Sequence, residues 1–235
     1  MIQAVVLFGS PGSGKGTQAG LLTKCLHVPH ISTGDMLREH IRDGDALGLK
    51  VSSTLHAGAL VRDEVVNHLV EERLAQPDAE AGFILDGYPR TRAQAEHLLG
   101  WLDRRGIREM VVHLIVDYNV IVTRLTGRRQ CPRCGTLYNI VSNPPRVEGV
   151  CDLEGEKLVV RDDDREPVIR QRLAEYESQS RPLIEFFREK GRCLYEIDAS
   201  NQAPEALASQ LCRTLKLEVG QAILPAAAFP GGSCA

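Results

Sequence analysis

The sequence predicts an α/β fold: a doubly wound sheet of five parallel strands, with a helical lobe and a second, metal-stapled lobe inserted into it. Two observations carry that expectation. Short apolar or β-branched runs alternate with longer helical patterns, the signature of strand–helix–strand units. The alternation then fails in two places, once across a helical stretch with no strand and once across a stretch crowded with Pro, Gly and Cys.

Taken in chain order, strands are expected at 2–8, 29–31, 83–85, 110–116 and 193–197. A Gly-rich loop at 9–17 follows the first strand and opens a helical pattern. Residues 34–61 are helical in pattern, punctuated by Gly44, Gly48 and Gly58, and read as a small helical lobe. The stretch 91–105 is amphipathic through Ala95, Leu98, Leu99 and Leu102, and a further helix is expected over 168–190. Between them, 129–164 holds Pro132, Pro144, Pro145, Gly135, Gly149 and Gly155, too much punctuation for a long helix. Residues 217–235 are rich in Ala, Pro and Gly and read as a loosely held extension. No internal repeat is visible.

The chain has 235 residues, 43% of them hydrophobic, enough for one sizeable core. Its formal charge of −3 argues against nucleic acid or an anionic membrane as partner, so any phosphate chemistry must rest on local clusters of Arg and Lys. No apolar run reaches the ~20 residues that span a bilayer, and the expected location is the cytoplasm. Of seven cysteines, Cys131, Cys134 and Cys151 crowd one segment, which in a reducing compartment points to a metal site. Cys25, Cys193, Cys212 and Cys234 are scattered and read as buried small hydrophobes. The histidines, His27, His30, His40, His56, His68, His97 and His113, form no recognisable ligand or catalytic motif and read as structural or surface residues.

The loop Gly9-Ser10-Pro11-Gly12-Ser13-Gly14-Lys15-Gly16-Thr17 sits where a phosphate-binding loop belongs, between a strand and a helix. Glycines let backbone N–H groups point inward, the helix N-terminus favours an anion, and Lys15 can reach the terminal phosphates. The strict pattern would place Ser or Thr at Gly16, and here the hydroxyl comes one residue later at Thr17. Asp86 ends an apolar strand and is delivered to the carboxyl edge of the sheet, where a Mg²⁺ on a nucleotide needs an acidic partner, directly or through water. Arg38, Arg90, Arg124, Arg128, Arg161 and Arg172 supply fixed cations for a reaction that asks chiefly for positioning and charge neutralisation.

The loop variant followed by Gln18 resembles the adenylate kinase branch of the nucleoside monophosphate kinases. Further matches follow in order: Ser32-Thr33-Gly34-Asp35-Met36-Leu37-Arg38, Asp86-Gly87-Tyr88-Pro89-Arg90-Thr91 with Gln94, Leu125-Thr126-Gly127-Arg128-Arg129, and Arg161-Asp162-Asp163-Asp164 with Arg172. The resemblance covers residues 2–216. It implies a CORE at 1–32, 62–128 and 166–216, a monophosphate-binding lobe at 33–61, a lid at 129–165 and an extension at 217–235. It further implies a Mg²⁺-dependent transfer from ATP to AMP that gives two ADP, in a monomer that closes over its substrates and excludes water.

On that resemblance, Gly12, Ser13, Gly14, Lys15, Gly16, Thr17, Arg124, Arg128, Leu137, Tyr138 and Ser200 bind ATP. Thr33, Arg38, Ala59, Leu60, Val61, Gly87, Tyr88, Pro89, Arg90 and Gln94 bind AMP, joined by Arg161 and Arg172. Lys15, Arg90, Arg128, Arg161 and Arg172 act on the transferring group. The lid's Cys131-x₂-Cys134 and Cys151-x₂-Glu154 have the spacing of a structural zinc site, with Glu154 where a fourth Cys would stand, and a carboxylate oxygen is an acceptable zinc ligand. Two other readings stay open: an AMP kinase using GTP as donor or a kinase for UMP and CMP, and a phosphate-loop ATPase or regulator whose zinc lobe grips nucleic acid or protein.

Overall fold

The computed structural model describes residues 2–220. Seven strands are present among them: β1 (Ile2–Phe8), β2 (His30–Ser32), β3 (Phe83–Asp86), β4 (Arg108–Ile115), β5 (Arg128–Gln130), β6 (Leu137–Asn139) and β7 (Leu194–Asp198). Five form one all-parallel sheet in the order β2-β3-β1-β4-β7. The five expected strands are therefore all present, with ends displaced by one or two residues. The chain leaves β1 towards β2 on one side and later crosses to β4 on the other. The carboxyl end of β1 thus lies at the switch point, where an open α/β sheet leaves a crevice.

Side chains along β1 alternate between two cores. Ala4, Val6 and Phe8 join Phe83, Leu85 and Val111 beneath α4 (Asp63–Leu74), α5 (Arg92–Arg105) and α8 (Leu183–Glu189). Val5 and Leu7 join Ile84, Met110, Val112 and Leu114 beneath α1 (Lys15–Leu26) and α9 (Pro204–Gly220). A strand covered on both faces has no polar side to spare, which is why these runs are apolar throughout. Each fully buried Leu or Ile contributes roughly 1.5–3 kcal/mol. Such a sheet is a rigid base for the loops at its edge.

The segment 33–61 is helical as expected: α2 (Thr33–Asp43) and α3 (Ala46–His56) form a hairpin. Ser32 caps α2 by accepting from the Asp35 N–H at 3.3 Å, and Gly44 ends it at φ 68°. At Gly48 the helices cross so closely that a Cβ would stand 2.1 Å from the His40 carbonyl oxygen. The segment after α6 (Tyr118–Thr126) pairs β5 with β6 antiparallel and otherwise turns on itself around Cys131, Tyr138, Cys151 and Leu158.

The helix expected over 168–190 is divided into α7 (Glu166–Glu175), a π-helical turn at Tyr176–Ser180 and α8. Pro182, which has no N–H to donate, stands at the start of α8. The expectation for the scattered cysteines needs correction. Cys25 on α1 and Cys212 on α9 form a disulfide with a Cα–Cα distance of 6.5 Å, because these helices pack side by side under the same sheet face. Cys193 is half-buried against that cluster and is itself disulfide-bonded, so the same correction applies to it, and Cys234 lies outside the described residues. The extension expected from residue 217 begins as a continuation of α9 to Gly220, and the rest of it lies outside the described residues.

Candidate active site

The loop after β1 bends through Gly9, Gly12 and Gly14 at positive φ, of 144°, 80° and 95°. At Gly12 a Cβ would also meet Leu125 Cγ at 2.9 Å, so only glycine fits there. Lys15, at the start of α1, curls back over the loop and donates to the carbonyls of Gly9 (2.8 Å) and Ser10 (2.9 Å). Burial lowers its ammonium to about 8; Asp86 opposes the shift, while Arg90, Arg172 and Arg128 reinforce it. These residues come from separate segments of the chain yet lie near enough to Lys15 to act on its charge.

Asp86 ends β3 beside the loop. A Cβ on Gly16 would stand 3.3 Å from Asp86 Oδ2, a tight approach that glycine avoids. On the other side of Asp86, His30 Nε2 lies 3.2 Å from the same oxygen. Thr17 is exposed. Arg124 donates to the carbonyls of Ala199 (2.8 Å) and Ser200 (3.2 Å) and lies 3.4 Å from that of Ser13, so the structure brings Arg124, Ser200 and the loop together.

A second group lies between α2 and the start of α5. Arg90 donates through Nε to the Gly87 carbonyl at 2.8 Å, and Thr33 Oγ1 donates to the same carbonyl at 2.9 Å. Thr33, Ala59, Leu60, Val61, Gly87 and Gln94 share the wall of one cavity, together with Arg90. Its volume is only about 30 Å³, room for roughly one water. Tyr88 and Pro89 differ in role from their neighbours: Tyr88 is 1% exposed and donates to Asn67 Oδ1 at 2.7 Å, and the bond between the two residues is cis. Neither is part of the cavity wall.

Arg38, Arg128, Arg161 and Arg172 are gathered by two carboxylates. Asp163 accepts from Arg161 Nε and Nη2, both at 3.0 Å, and lies 3.2 Å from Arg172 and 3.7 Å from Arg38. Asp164 accepts from Arg128 Nε at 2.6 Å and from Arg172 Nη1 at 3.0 Å. Burial alone would raise the Asp163 carboxyl, but Arg172, Arg161 and Arg38 outweigh it and hold the group far below the usual carboxylate range. Burial lowers Arg172 to about 10. Arg38 Nε is buried and has no hydrogen-bond partner, an unmet donor in a cleft of cations. Asp163 and Asp164 have no separate role in the sequence-based expectations, and His30, expected as structural or surface, stands beside Asp86. The Asp run beside Arg161 was the available signal, since clustered cations at a sheet edge need local compensation.

The helical hairpin with the residues that follow it and the stretch from Asp162 into α7 approach each other across the cleft. His56 lies 3.9 Å from Asp162, and a Cβ on Gly58 would come within 2.9 Å of Val168.

In the lobe built on β5 and β6, the sulfurs of Cys131, Cys134 and Cys151 all lie within 4.8 Å of one another. Burial works against a thiolate at Cys151, yet the Tyr138 hydroxyl and the backbone N–H groups of Glu154 and Leu153 outweigh it and lower the thiol to about 7. Preorganised donors around close sulfurs suit a thiophilic cation such as zinc. Glu154 stands outside this group, with its carboxylate 3.3 Å from Arg133 Nε, and Asp152 accepts from the Arg146 N–H at 2.9 Å. Tyr138 is buried among the cysteines, its hydroxyl 3.5 Å from Cys151 Sγ, whereas Leu137 is exposed. No helix among the described residues is long and apolar enough to cross a membrane.

Comparison with known proteins agrees with this arrangement. The family model described as adenylate kinase matches residues 7–192. The chain is 48% identical over 204 residues to the adenylate kinase of Moorella thermoacetica, covering 86% of this chain and 94% of that one. It is 46% identical over 213 residues to the adenylate kinase of Pseudothermotoga lettingae, covering 90% and 97%. The adenylate kinase of Oceanobacillus iheyensis is 47% identical over 188 residues, covering 80% and 87%.

Proposed function

This chain belongs to the adenylate kinase family, and from that premise we propose how its residues divide the phosphoryl transfer ATP + AMP ⇌ 2 ADP. The enzyme is a phosphotransferase of the nucleoside monophosphate kinases, and ATP enters with Mg²⁺. When bound, the metal would supply charge neutralisation on the phosphates. Asp86, at the carboxyl edge of β3 beside Lys15, is the acidic group available to it, directly or through water.

The loop amides of 12–17 and Lys15 hold the terminal phosphates of ATP, with Arg128 on the far side. Arg124, fixed against Ser200 and the loop, faces the adenine of ATP. Arg38 and Arg90 take the AMP phosphate, while Thr33, Gln94 and residues 59–61 enclose its base. Arg161 and Arg172 stabilise charge as it spreads over the transferring group. No strong base is required, because the acceptor is already an anionic phosphate oxygen.

The observation that carries this reading is the convergence of Lys15, Arg38, Arg90, Arg128, Arg161 and Arg172, from five stretches of sequence, around one cleft whose buried Arg38 Nε lacks a partner. Such a cleft would also activate ATP towards water. Movement of residues 33–61 and 129–165 about the core answers both needs, admitting nucleotides and then excluding solvent. The small cavity volume and the contacts that bridge the cleft support that movement. A zinc ion held by Cys131, Cys134 and Cys151 would staple the second lobe, with Glu154 as fourth ligand once it leaves Arg133.

The test is ADP formation across a panel of ATP and GTP as donors with AMP, CMP and UMP as acceptors. ATP should be consumed only with an acceptor present, and AMP should be strongly preferred. Comparable kcat/KM for CMP and AMP would overturn the reading of the acceptor site. ATP consumption independent of any monophosphate would return the chain to the ATPase alternative.

A further inference from the structure

We propose that Asp63 sets the orientation of the Gln94 amide and so decides between adenine and guanine at the acceptor site, an inference that rests on Gln94 facing the base of the monophosphate. Gln94 lies in the first turn of α5, 2% exposed, and lines the cavity with Thr33, Gly87 and Arg90. Its Nε2 donates to Asp63 Oδ1 at 2.8 Å, and its Oε1 accepts from the Arg90 backbone N–H at 2.8 Å. A carboxylate can only accept and a backbone N–H can only donate. The amide therefore has one allowed orientation: flipping it would set oxygen against carboxylate and N–H against N–H.

Asp63 is itself held. Its second oxygen accepts from Thr91 Oγ1 at 2.9 Å, and Thr91 Oγ1 also accepts from the Gln94 backbone N–H at 3.2 Å. Asp63 is the first residue of α4, where the helix N-terminus favours a negative charge. It forms no part of the cavity wall, so it acts on the base only through Gln94, as a positioning residue.

A primary amide offers two donors and two acceptor sites. With one of each taken by Asp63 and Arg90, one N–H and one oxygen lone pair remain, and their order in space is fixed. The Watson–Crick edge of adenine presents an acceptor at N1 beside a donor at N6. Guanine presents the reverse, a donor at N1 beside an acceptor at O6. In a pose fixed by its phosphate, an adenine that meets the amide correctly at both atoms implies a guanine that is wrong at both. The locked amide turns a residue able to read either purine into one that reads adenine.

The experiment compares kcat/KM for AMP and GMP, with ATP as donor, in the parent, Asp63→Ala and Gln94→Ala. Asp63→Ala should lower the AMP-over-GMP preference by about 10-fold, the scale of one bidentate base contact, while KM for ATP stays within two-fold. A purely structural role for Asp63 would weaken both acceptors together and leave the ratio unchanged. If Gln94→Ala lowers the ratio but Asp63→Ala leaves it within two-fold of the parent, the inference fails and the acceptor-site reading stands. If Gln94→Ala leaves the ratio unchanged, the reading of Gln94 as a base contact fails first. Should Asp63→Ala not fold, side-chain amide NMR of the parent decides: the Nε2 proton bonded to Asp63 should exchange with solvent more slowly than its geminal partner, and equal exchange overturns the proposal.

Discussion

Replacing Asp163 by Asn should destabilise the nucleotide-free enzyme by about 3 kcal/mol. The Asp163 carboxylate is buried and meets Arg161 at two positions of 3.0 Å, Arg172 at 3.2 Å and Arg38 at 3.7 Å. Each such pair carries a gross attraction of about 4 kcal/mol at an effective dielectric constant near 20. Most of that is offset by the desolvation of the charges, so the gross value is no guide to the net loss. Removing one partner of a buried ion pair costs about 3–5 kcal/mol, and Asn, which keeps one acceptor oxygen, belongs at the lower end. For a chain of this size that corresponds to a fall in Tm of about 6–12 °C. The pH sign follows from the depressed carboxyl: its stabilisation is present above the unfolded pKa of about 4 and is lost as pH falls below it. Below pH 4 the parent should therefore approach the variant. Nucleotide phosphates should replace the missing carboxylate, so saturating ATP and AMP should raise the Tm of Asp163→Asn more than that of the parent. Calorimetry at pH 7, with and without nucleotides, is the assay. A free variant melting within 2 °C of the parent would refute the idea that Asp163 holds the arginines together.

Lys15→Met should reduce transfer by about 1,000-fold or more while melting at or above the parent at pH 7, since burial already disfavours the ammonium in the free enzyme; activity within a few fold of the parent would remove Lys15 from the reaction. The purified protein should hold about one zinc per chain, and Glu154→Cys should retain it against a chelator better than Glu154→Ala. Arg133→Ala should leave retention unchanged or improved, because it frees the Glu154 carboxylate. Loss of zinc from Asp152→Ala but not from Glu154→Ala, measured by metal analysis, would transfer the fourth position to Asp152. Zinc removal should lower Tm more than kcat.

What could be read from the sequence was what neighbouring residues dictate together. Ala4, Val5, Val6 and Leu7 make a short apolar run bounded by a Gly-rich stretch, which fits a strand covered on both faces, and glycines followed by Lys15 between a strand and a helical pattern fit a phosphate-binding loop. The strand order was not legible, because the pairing of β1 with β3 and β4 is decided by which runs cover one another in space. The same limit hid the Cys25–Cys212 disulfide, whose partners stand 187 residues apart. It also hid Asp63, whose bond to Gln94 spans 31 positions. The arginines were legible only as a set attached to motifs; their compensation by Asp163 and Asp164 depended on the chain returning to the cleft.

Position 16 shows how a local departure from a pattern can record a distant contact. A phosphate-binding loop of the strict form carries a hydroxyl after its lysine, and by that rule Gly16 reads as a defect. In the folded chain, the space a side chain would enter at 16 is bounded by Asp86 Oδ2, 3.3 Å from where the Cβ would stand. Asp86 comes from the neighbouring strand, and that strand is next to β1 in the sheet. The missing side chain and the approaching carboxylate are two sides of one packing constraint. A Cβ at 16 would require the Asp86 carboxylate to give way slightly, so the hydroxyl at Thr17 and the carboxylate at 86 fit together most easily while residue 16 is glycine.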